Sequence, residues 1–193
     1  MKTRPIFHLQ QRRSSNKYVE AAKQRLPDFD GRSISIRFLP KLSAGSRKLY
    51  SNRNVGQPVF AATFIRKREI VFDQELERKP AEMARILAHE LFHFAWVRLG
   101  NPARRSYEAL LRRERNGHAR GELGWSAEYR KLALPRRPPA AKWRAYVCES
   151  FCDTAAWLYS GIRRHGEFTL AGRHRERRAE WFRAAFGDRG IPI

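Results

Sequence analysis

The sequence has few of the features that would tie a protein to a membrane or to an oxidising compartment. It contains only two cysteines, and no apolar run approaches the roughly 18 residues that a transmembrane helix needs. The N-terminus is basic but lacks the apolar segment of a secretory signal. Cys148 and Cys152 lie four residues apart in a predicted helix, where they are poorly placed to bond to each other. We therefore predict a cytoplasmic protein with no membrane span.

Acidic residues are also scarce, at 19 against 40 lysines and arginines, which gives a formal net charge of +21. Such a charge is one indication of binding to nucleic acid or another polyanion. It is equally consistent with a generally basic solvated surface, because the arginine pairs are spread along the chain and no aromatic-and-basic motif stands out among them. Both interpretations stay open, and nothing in the sequence indicates an oligomeric state.

The most informative segment is the HExxH motif at His89-Glu90-Leu91-Phe92-His93. Residues four apart share a helical face, so His89 and His93 could bind one metal ion. Glu90 is about 100° of rotation from His89 and could reach a water on that metal. The helix predicted at 80–99 is apolar on nearly every side, which indicates a central, buried helix. Two histidines and a glutamate there favour a metal site.

A catalytic zinc site needs a third protein ligand and an open position for water. The best candidate is Glu149, in an apolar helix predicted at 143–160. Asp153, one turn later, could accept a hydrogen bond from a ligand imidazole. Two carboxylates on one buried face are unfavourable unless a cation is present. His118 is an alternative ligand, and the two cysteines are weaker ones because thiols in an apolar helix are usually packing residues.

HELFH followed by Glu149-Ser-Phe-Cys-Asp153 resembles the gluzincins, the thermolysin-like class of zinc peptidases. The resemblance covers about 35 residues in two helices. It implies one Zn²⁺ per chain bound by His89, His93 and Glu149, with Glu90 as general base and Asp153 orienting a histidine. It also implies a peptide or protein substrate, which an edge strand could align. The family's asparagine before the glutamate is Cys148 here, and the family's large flanking domains have no counterpart.

Other interpretations remain beside this one. SprT-like metalloproteases take a downstream histidine as third ligand, which would be His118, and they act on DNA-associated substrates. A non-enzymatic polyanion-binding protein with a structural or degenerate metal site is a further alternative. If the protein is a peptidase, the substrate oxyanion needs a donor besides zinc. Tyr146, one turn before Glu149, is the first candidate.

The expected architecture is α+β, in a single zincin-like domain over residues 1–193. A small, mostly antiparallel sheet is predicted within residues 1–79, and a helical part that carries the metal site within 80–193. The local predictions are a helix at 16–26, a strand at 33–39, a loop at 41–57 and a hairpin at 59–72. Helices are predicted after the central one at 106–115, around 127–132, at 143–160 and at 173–186.

Overall fold

Helices account for most of the chain after residue 79. The computed structural model describes residues 7–9, 19–46, 48–53, 55–187 and 190–193. The helices are α1 Pro80–Arg98, α2 Asn101–Asn116, α3 Trp125–Leu132, α4 Ala140–Tyr159 and α5 Gly172–Phe186. Of the helix predicted at 16–26, residues 19–23 are helical, and 16–18 lie outside the described residues.

Eight of the nine described strands precede the five long helices, as predicted, and the α+β class is confirmed. They are β1 Phe7–Leu9, β2 Phe29–Asp30, β3 Ile34–Leu39, β4 Leu42–Gly45, β5 Lys48–Ser51, β6 Gln57–Pro58, β7 Ala61–Phe64 and β8 Glu69–Asp73, with β9 Ile191–Pro192 at the end of the chain.

The largest sheet is mixed rather than mostly antiparallel. Its strand order is β1-β3-β8-β7, in which β1, β3 and β8 run parallel and β7 alone is antiparallel to β8. The sequence suggested otherwise because β7 and β8 form the predicted hairpin. The neighbour of β8 on its other side, β3, is separated from it by residues 40–68, a connection long enough to allow parallel pairing. Strand β7 is an edge of this sheet within the described residues.

The segment predicted as a loop at 41–57 contains three strands instead. Strands β5, β4 and β6 form an antiparallel sheet in that order. The Asp73 carboxylate, at the end of β8, accepts a hydrogen bond of 2.6 Å from the Leu42 amide. Pairing and this anchor hold short strands whose Ser, Gly and Asn content gives little alternation to recognise. The loop prediction was therefore wrong.

Helix α2 also begins earlier than predicted. Gly100-Asn101-Pro102 ends α1, but the same residues begin α2 at Asn101 rather than at Ser106. Proline is tolerated in a first helical turn because that position has no intrahelical acceptor for an amide hydrogen. Residues 100–102 therefore end α1 and also begin α2.

Helix α1 is buried on several sides, as its sequence indicated. It contacts β7 and packs most extensively on α4. Phe92 is fully buried and meets a ring of aromatic side chains, namely Phe29, Phe151, Tyr159, Phe182 and Phe186. Because these rings come from the sheet region, α4 and α5, the packing of Phe92 fixes α1 in the centre of the molecule.

A second, polar anchor lies in the interior of the helical part. The Arg178 side chain is fully buried and forms ion pairs with Glu114 at 2.6 Å and with Glu122 at 2.7 Å. Lys131 is 3.0 Å from Glu122, and the Tyr146 hydroxyl donates to the same carboxylate. This network joins α2, α3, α4, α5 and the 117–124 segment.

In the described part of the chain, none of the helices has the length and apolar character that crossing a bilayer requires.

Replacing Arg178 with Met should lower the free energy of unfolding by about 3–5 kcal/mol, because two buried carboxylates would lose their main cation. Urea unfolding followed by circular dichroism would measure the loss. Arg177→Met is the matched control, since Arg177 is an exposed neighbour on the same helix, and its effect should stay within about 0.5 kcal/mol. Equal effects of the two substitutions would contradict a structural role for the network.

Candidate metal centre

The two histidines of the motif lie next to each other on α1, four residues apart. Their ring centroids are 4.9 Å apart and the ring planes meet at 78°. His89 is buried, at 9% exposed. A single ion could therefore reach both imidazoles, as the helical spacing predicted.

Helix α4 brings both predicted carboxylates to His89. Asp153 Oδ1 is 2.7 Å from His89 Nδ1, and Glu149 Oε2 is 3.3 Å from His89 Nε2. Because a carboxylate accepts, the imidazole donates through Nδ1 to Asp153. Its Nε2, which faces Glu149, is the nitrogen that a metal could take once any proton on it is displaced. Glu149 and Asp153 thus lie against the two nitrogens of His89, and the role of Glu149 as a metal ligand stays a prediction.

Asp153 is itself held in place by α3. Its Oδ2 accepts a hydrogen bond of 2.8 Å from the Ala127 amide in the first turn of that helix. Gly124, just before α3, lies against the carboxylate, and a Cβ there would be 2.3 Å from Asp153 Oδ1. Only glycine fits this approach. The tautomer and orientation of His89 therefore depend on α3 as well as on α4.

The second histidine of the motif lies beside two cysteine sulfurs. His93 Nδ1 is 3.4 Å from Cys152 Sγ and 3.6 Å from Cys148 Sγ. Both cysteines are free thiols. Because they stand on the same side of the imidazole, they could orient His93 or, in the case of Cys152, contribute a ligand atom.

These side chains could hold a metal ion. Ligand atoms of His89, His93 and Cys152 all lie within 4.8 Å of one another. The Glu149 carboxylate adds an oxygen donor beside His89 Nε2. Imidazole nitrogen with thiolate sulfur or carboxylate oxygen is a donor set that suits borderline divalent ions such as zinc. The residues present therefore fit such an ion.

The electrostatics of the cluster favour a cation. Burial alone would lower the pKa of His89, but the charge and hydrogen bond of Asp153 and the hydrogen bond of Glu149 raise that pKa well above 6.5. Burial would raise the pKa of Glu149, yet the His89 hydrogen bond and the charges of His93 and Arg130 lower it to about 2. Glu149 is thus ionised at neutral pH, and positive charge at His89 is stabilised.

The pKa values of the two cysteine thiols shift in opposite directions. Burial raises the pKa of Cys152 well above its ordinary value. A hydrogen bond from Cys152, followed by the influence of His93, lowers the pKa of Cys148 to about 6 despite burial. Cys152 is therefore a neutral thiol at neutral pH unless a metal displaces its proton.

Glu90 lies at the wall of an open cleft. The cleft has a volume of about 440 Å³, and His89, Glu90 and Asp153 contribute to its lining together with residues 58–61 and Trp125. The Thr63 hydroxyl on β7 donates a hydrogen bond of 2.5 Å to Glu90 Oε2. The edge strand thus orients the glutamate and borders the cleft.

Arg130 on α3 is the closest described cation to the predicted third ligand. Its Nη2 is 3.1 Å from Glu149 Oε1, and its Nη1 donates to the Ser126 carbonyl. It holds one carboxylate oxygen while the other faces His89. Glu149 is therefore oriented from both sides.

The structure does not bring every predicted residue to this cluster. The Tyr146 hydroxyl is buried and donates to Glu122 at 2.5 Å, so its placement does not support a role as oxyanion donor. His118 is exposed in the turn after α2 with a backbone φ of 55°. Like Glu149, it is not among the potential ligands that lie within 4.8 Å of one another in the described residues, which are His89, His93 and Cys152.

Sequence reasoning missed Thr63, Arg130, Ala127 and Gly124. Their contacts with Glu90, Glu149 and Asp153 span 19 to 29 residues of sequence, and none belongs to a motif. The one available signal was the β-prone run before the motif helix, which suggested that the hairpin would border the site.

The chain matches no family model, no curated protein and no solved structure.

Metal binding should become tighter as pH rises, because a metal must displace the proton that Asp153 and Glu149 stabilise on His89. We expect the apparent affinity of chelator-treated protein for Co²⁺ to increase by about tenfold per pH unit above pH 6.5, while one proton is displaced. Calorimetry in several buffers would measure both the affinity and the protons released. In Asp153→Asn the rise of Co²⁺ affinity with pH should occur at lower pH, because the charge that raises the pKa of His89 is removed. An affinity independent of pH between about 6.5 and 8 would contradict this account.

Proposed function

We propose that this protein is a zinc-dependent peptidase. One observation supports the proposal above all others. His89 of the HExxH motif meets Glu149 and Asp153 of α4, at 3.3 and 2.7 Å from its two nitrogens, and His89, Glu90 and Asp153 line part of an open cleft. A purely structural histidine pair would not need a carboxylate on each nitrogen of one imidazole beside a cleft.

In this proposal, His89 and His93 would bind the ion through their Nε2 atoms, and Glu149 would supply the third ligand. His89 Nδ1 is already engaged by Asp153, and His93 Nδ1 faces the two sulfurs. Each imidazole thus has its second nitrogen occupied by a neighbour, as is usual for metal-bound histidine. Glu149 is preferred to Cys152 because its Oε2 is 3.3 Å from His89 Nε2, whereas Cys152 Sγ lies beside His93 Nδ1, the nitrogen that would not bind the ion.

Zinc bound at this site would lower the pKa of a coordinated water and polarise the scissile carbonyl. Glu90 accepts the proton of the attacking water and then delivers it to the leaving amine. The Thr63 hydroxyl fixes the Glu90 carboxylate at the cleft wall through its hydrogen bond to Oε2. Asp153 and Arg130 keep His89 and Glu149 in place, which reduces reorganisation during the reaction.

An extended peptide is the substrate shape that suits the cleft. Strand β7 is an edge of its sheet in the described residues, and Ala61 at its start contributes to the cleft lining. An edge strand offers backbone donors and acceptors to an incoming chain. A peptide paired with β7 would pass Glu90, because Thr63 of that strand already contacts it.

Replacing Glu90 with Gln should abolish peptide hydrolysis and leave zinc binding intact, because Gln cannot accept the proton but Glu90 is not a proposed ligand. We expect at least a thousandfold loss of kcat on a fluorogenic peptide library, with about one zinc per chain retained by elemental analysis.

Glu180→Gln is the matched control, since Glu180 is exposed on α5, and it should keep full activity. If the unmodified protein binds no zinc at neutral pH, the proposal is wrong. If it binds zinc but cleaves nothing in the library, a structural metal site becomes the better account.

The third ligand can be identified by a pair of substitutions. Glu149→Gln should weaken Zn²⁺ binding by at least about a hundredfold, because it removes a ligand charge, whereas Cys152→Ser should weaken it by about tenfold or less. The Co²⁺-loaded protein should show no thiolate-to-metal charge-transfer band in the near ultraviolet. A strong band that disappears in Cys152→Ser would instead make Cys152 the ligand.

A further inference from the structure

An exposed apolar surface lies on α3, directly beside the cleft. Trp125, Tyr129 and Leu132 are spaced four and three residues apart, so they share one face of the helix. Their exposed fractions are 62%, 59% and 80%. We call these three residues the α3 face. Single exposed apolar side chains are common, but three together on one short helix form a patch.

The α3 face is not needed to hold the helix in place. The opposite side of α3 does that, through the buried Ala127, whose amide binds Asp153, and through Lys131, which contacts Glu122 and donates to the Gly121 carbonyl. Arg130 is bound to Glu149. Packing of the fold therefore does not explain why the outer side of α3 is aromatic.

The aromatic rings on this face are ordered with respect to each other. Trp125 and Tyr129 are stacked, with ring centroids 5.2 Å apart and planes within 15° of parallel. Stacked rings form a preorganised contact area that loses little conformational entropy on binding. Trp and Tyr are also the residues that most often dominate binding energy at protein interfaces.

The α3 face is continuous with the candidate active site. Trp125 lines the cleft that contains His89 and Glu90. Phe60, which is 48% exposed and directly precedes β7, also lines this cleft. A chain leaving the cleft on the α3 side would therefore meet Trp125 first and then Tyr129 and Leu132 along the helix.

The positive charge of the protein indicates what kind of chain would bind to the α3 face. The protein carries a formal charge of +21, and the segment after α3 adds the exposed Arg136 and Arg137. The one acidic residue of α3, Glu128, accepts a hydrogen bond from Thr169. An occupant with apolar side chains flanked by Asp and Glu would complement this surface in both shape and charge.

We propose that the α3 face is a substrate-docking surface for an acidic polypeptide segment that bears large apolar side chains. The substrate role of this segment rests on the proposed function, whereas its binding to the α3 face does not. Single-stranded nucleic acid could also stack on Trp125 and Tyr129. The polypeptide is favoured because Leu132, the most exposed of the three, has no ring for a base, and because the face leads into a cleft walled by Glu90.

The test is a binding experiment that needs neither zinc nor turnover. Full-length Glu90→Gln protein is titrated into a fluorescein-labelled peptide of about 20 residues rich in Asp, Glu, Phe and Leu, and anisotropy is recorded. Tyr129→Ser with Leu132→Ser should weaken binding by about tenfold or more. The control Val97→Ser, at another exposed apolar residue that does not line the cleft, should bind as the parent does. Matching circular dichroism melts exclude misfolding.

Two further probes complete the design. A peptide in which Asn and Gln replace Asp and Glu should bind more weakly than the acidic one. Equal affinity of the double variant and the parent would overturn the proposal. Tighter binding of an oligo-dT of similar length, lost in the same double variant, would also overturn it and assign the face to nucleic acid. Failure to bind zinc or to cleave peptides would count against the proposed function alone, since this binding is read without either.

Discussion

The candidate site depends on the two contacts that the Asp153 carboxylate makes with other helices. One of its oxygens is 2.7 Å from His89 Nδ1 on α1, and the other accepts the Ala127 amide of α3 at 2.8 Å. Asp153 itself belongs to α4, so a single buried group joins three helices. An unpaired buried carboxylate would cost several kcal/mol. Gly124 makes the contact possible because any larger residue would occupy the space of the carboxylate. The orientation of His89 is thus set by the packing of three helices.

Acidic residues are few in this chain, and several of them are in the interior. Asp73, Glu114, Glu122 and Asp153 are buried, and Glu149 is largely so, with a side chain 14% exposed. Each has a defined partner: the Leu42 amide, Arg178, Lys131, His89 or Arg130. The outer surface is therefore more basic than the composition alone suggests. Two of these acids, Glu149 and Asp153, lie at the candidate metal centre, and most of the lysines and arginines are left to face solvent and partners.

Sequence patterns predicted those parts of the protein in which the local signal and the final environment agree. Helix α1 is apolar on all sides and is the central helix, and the spacing of His89 and His93 placed both imidazoles on one face. The spacing of Glu149 and Asp153 likewise put two carboxylates on one face of α4. The same reasoning failed for residues 41–57, where strands are held by pairing and by Asp73 rather than by alternation. It also failed for Tyr146, whose apparent position near the site is overridden by the buried Glu122 and Arg178 network.

The sequence by itself determined the metal-binding chemistry that is available: two imidazoles and a glutamate on one helix, and two carboxylates on a later one. Helical periodicity is a local property, so four-residue spacing suffices to place side chains on a common face. Only the tertiary structure decided which later residues meet the motif. In the folded protein His89 contacts Glu149 and Asp153, and His93 lies beside two thiols. Glu90 accepts a hydrogen bond from Thr63 of an edge strand. Those contacts connect residues 27 to 64 positions apart, and no local pattern encodes them, because they follow from how the helices and the sheet pack.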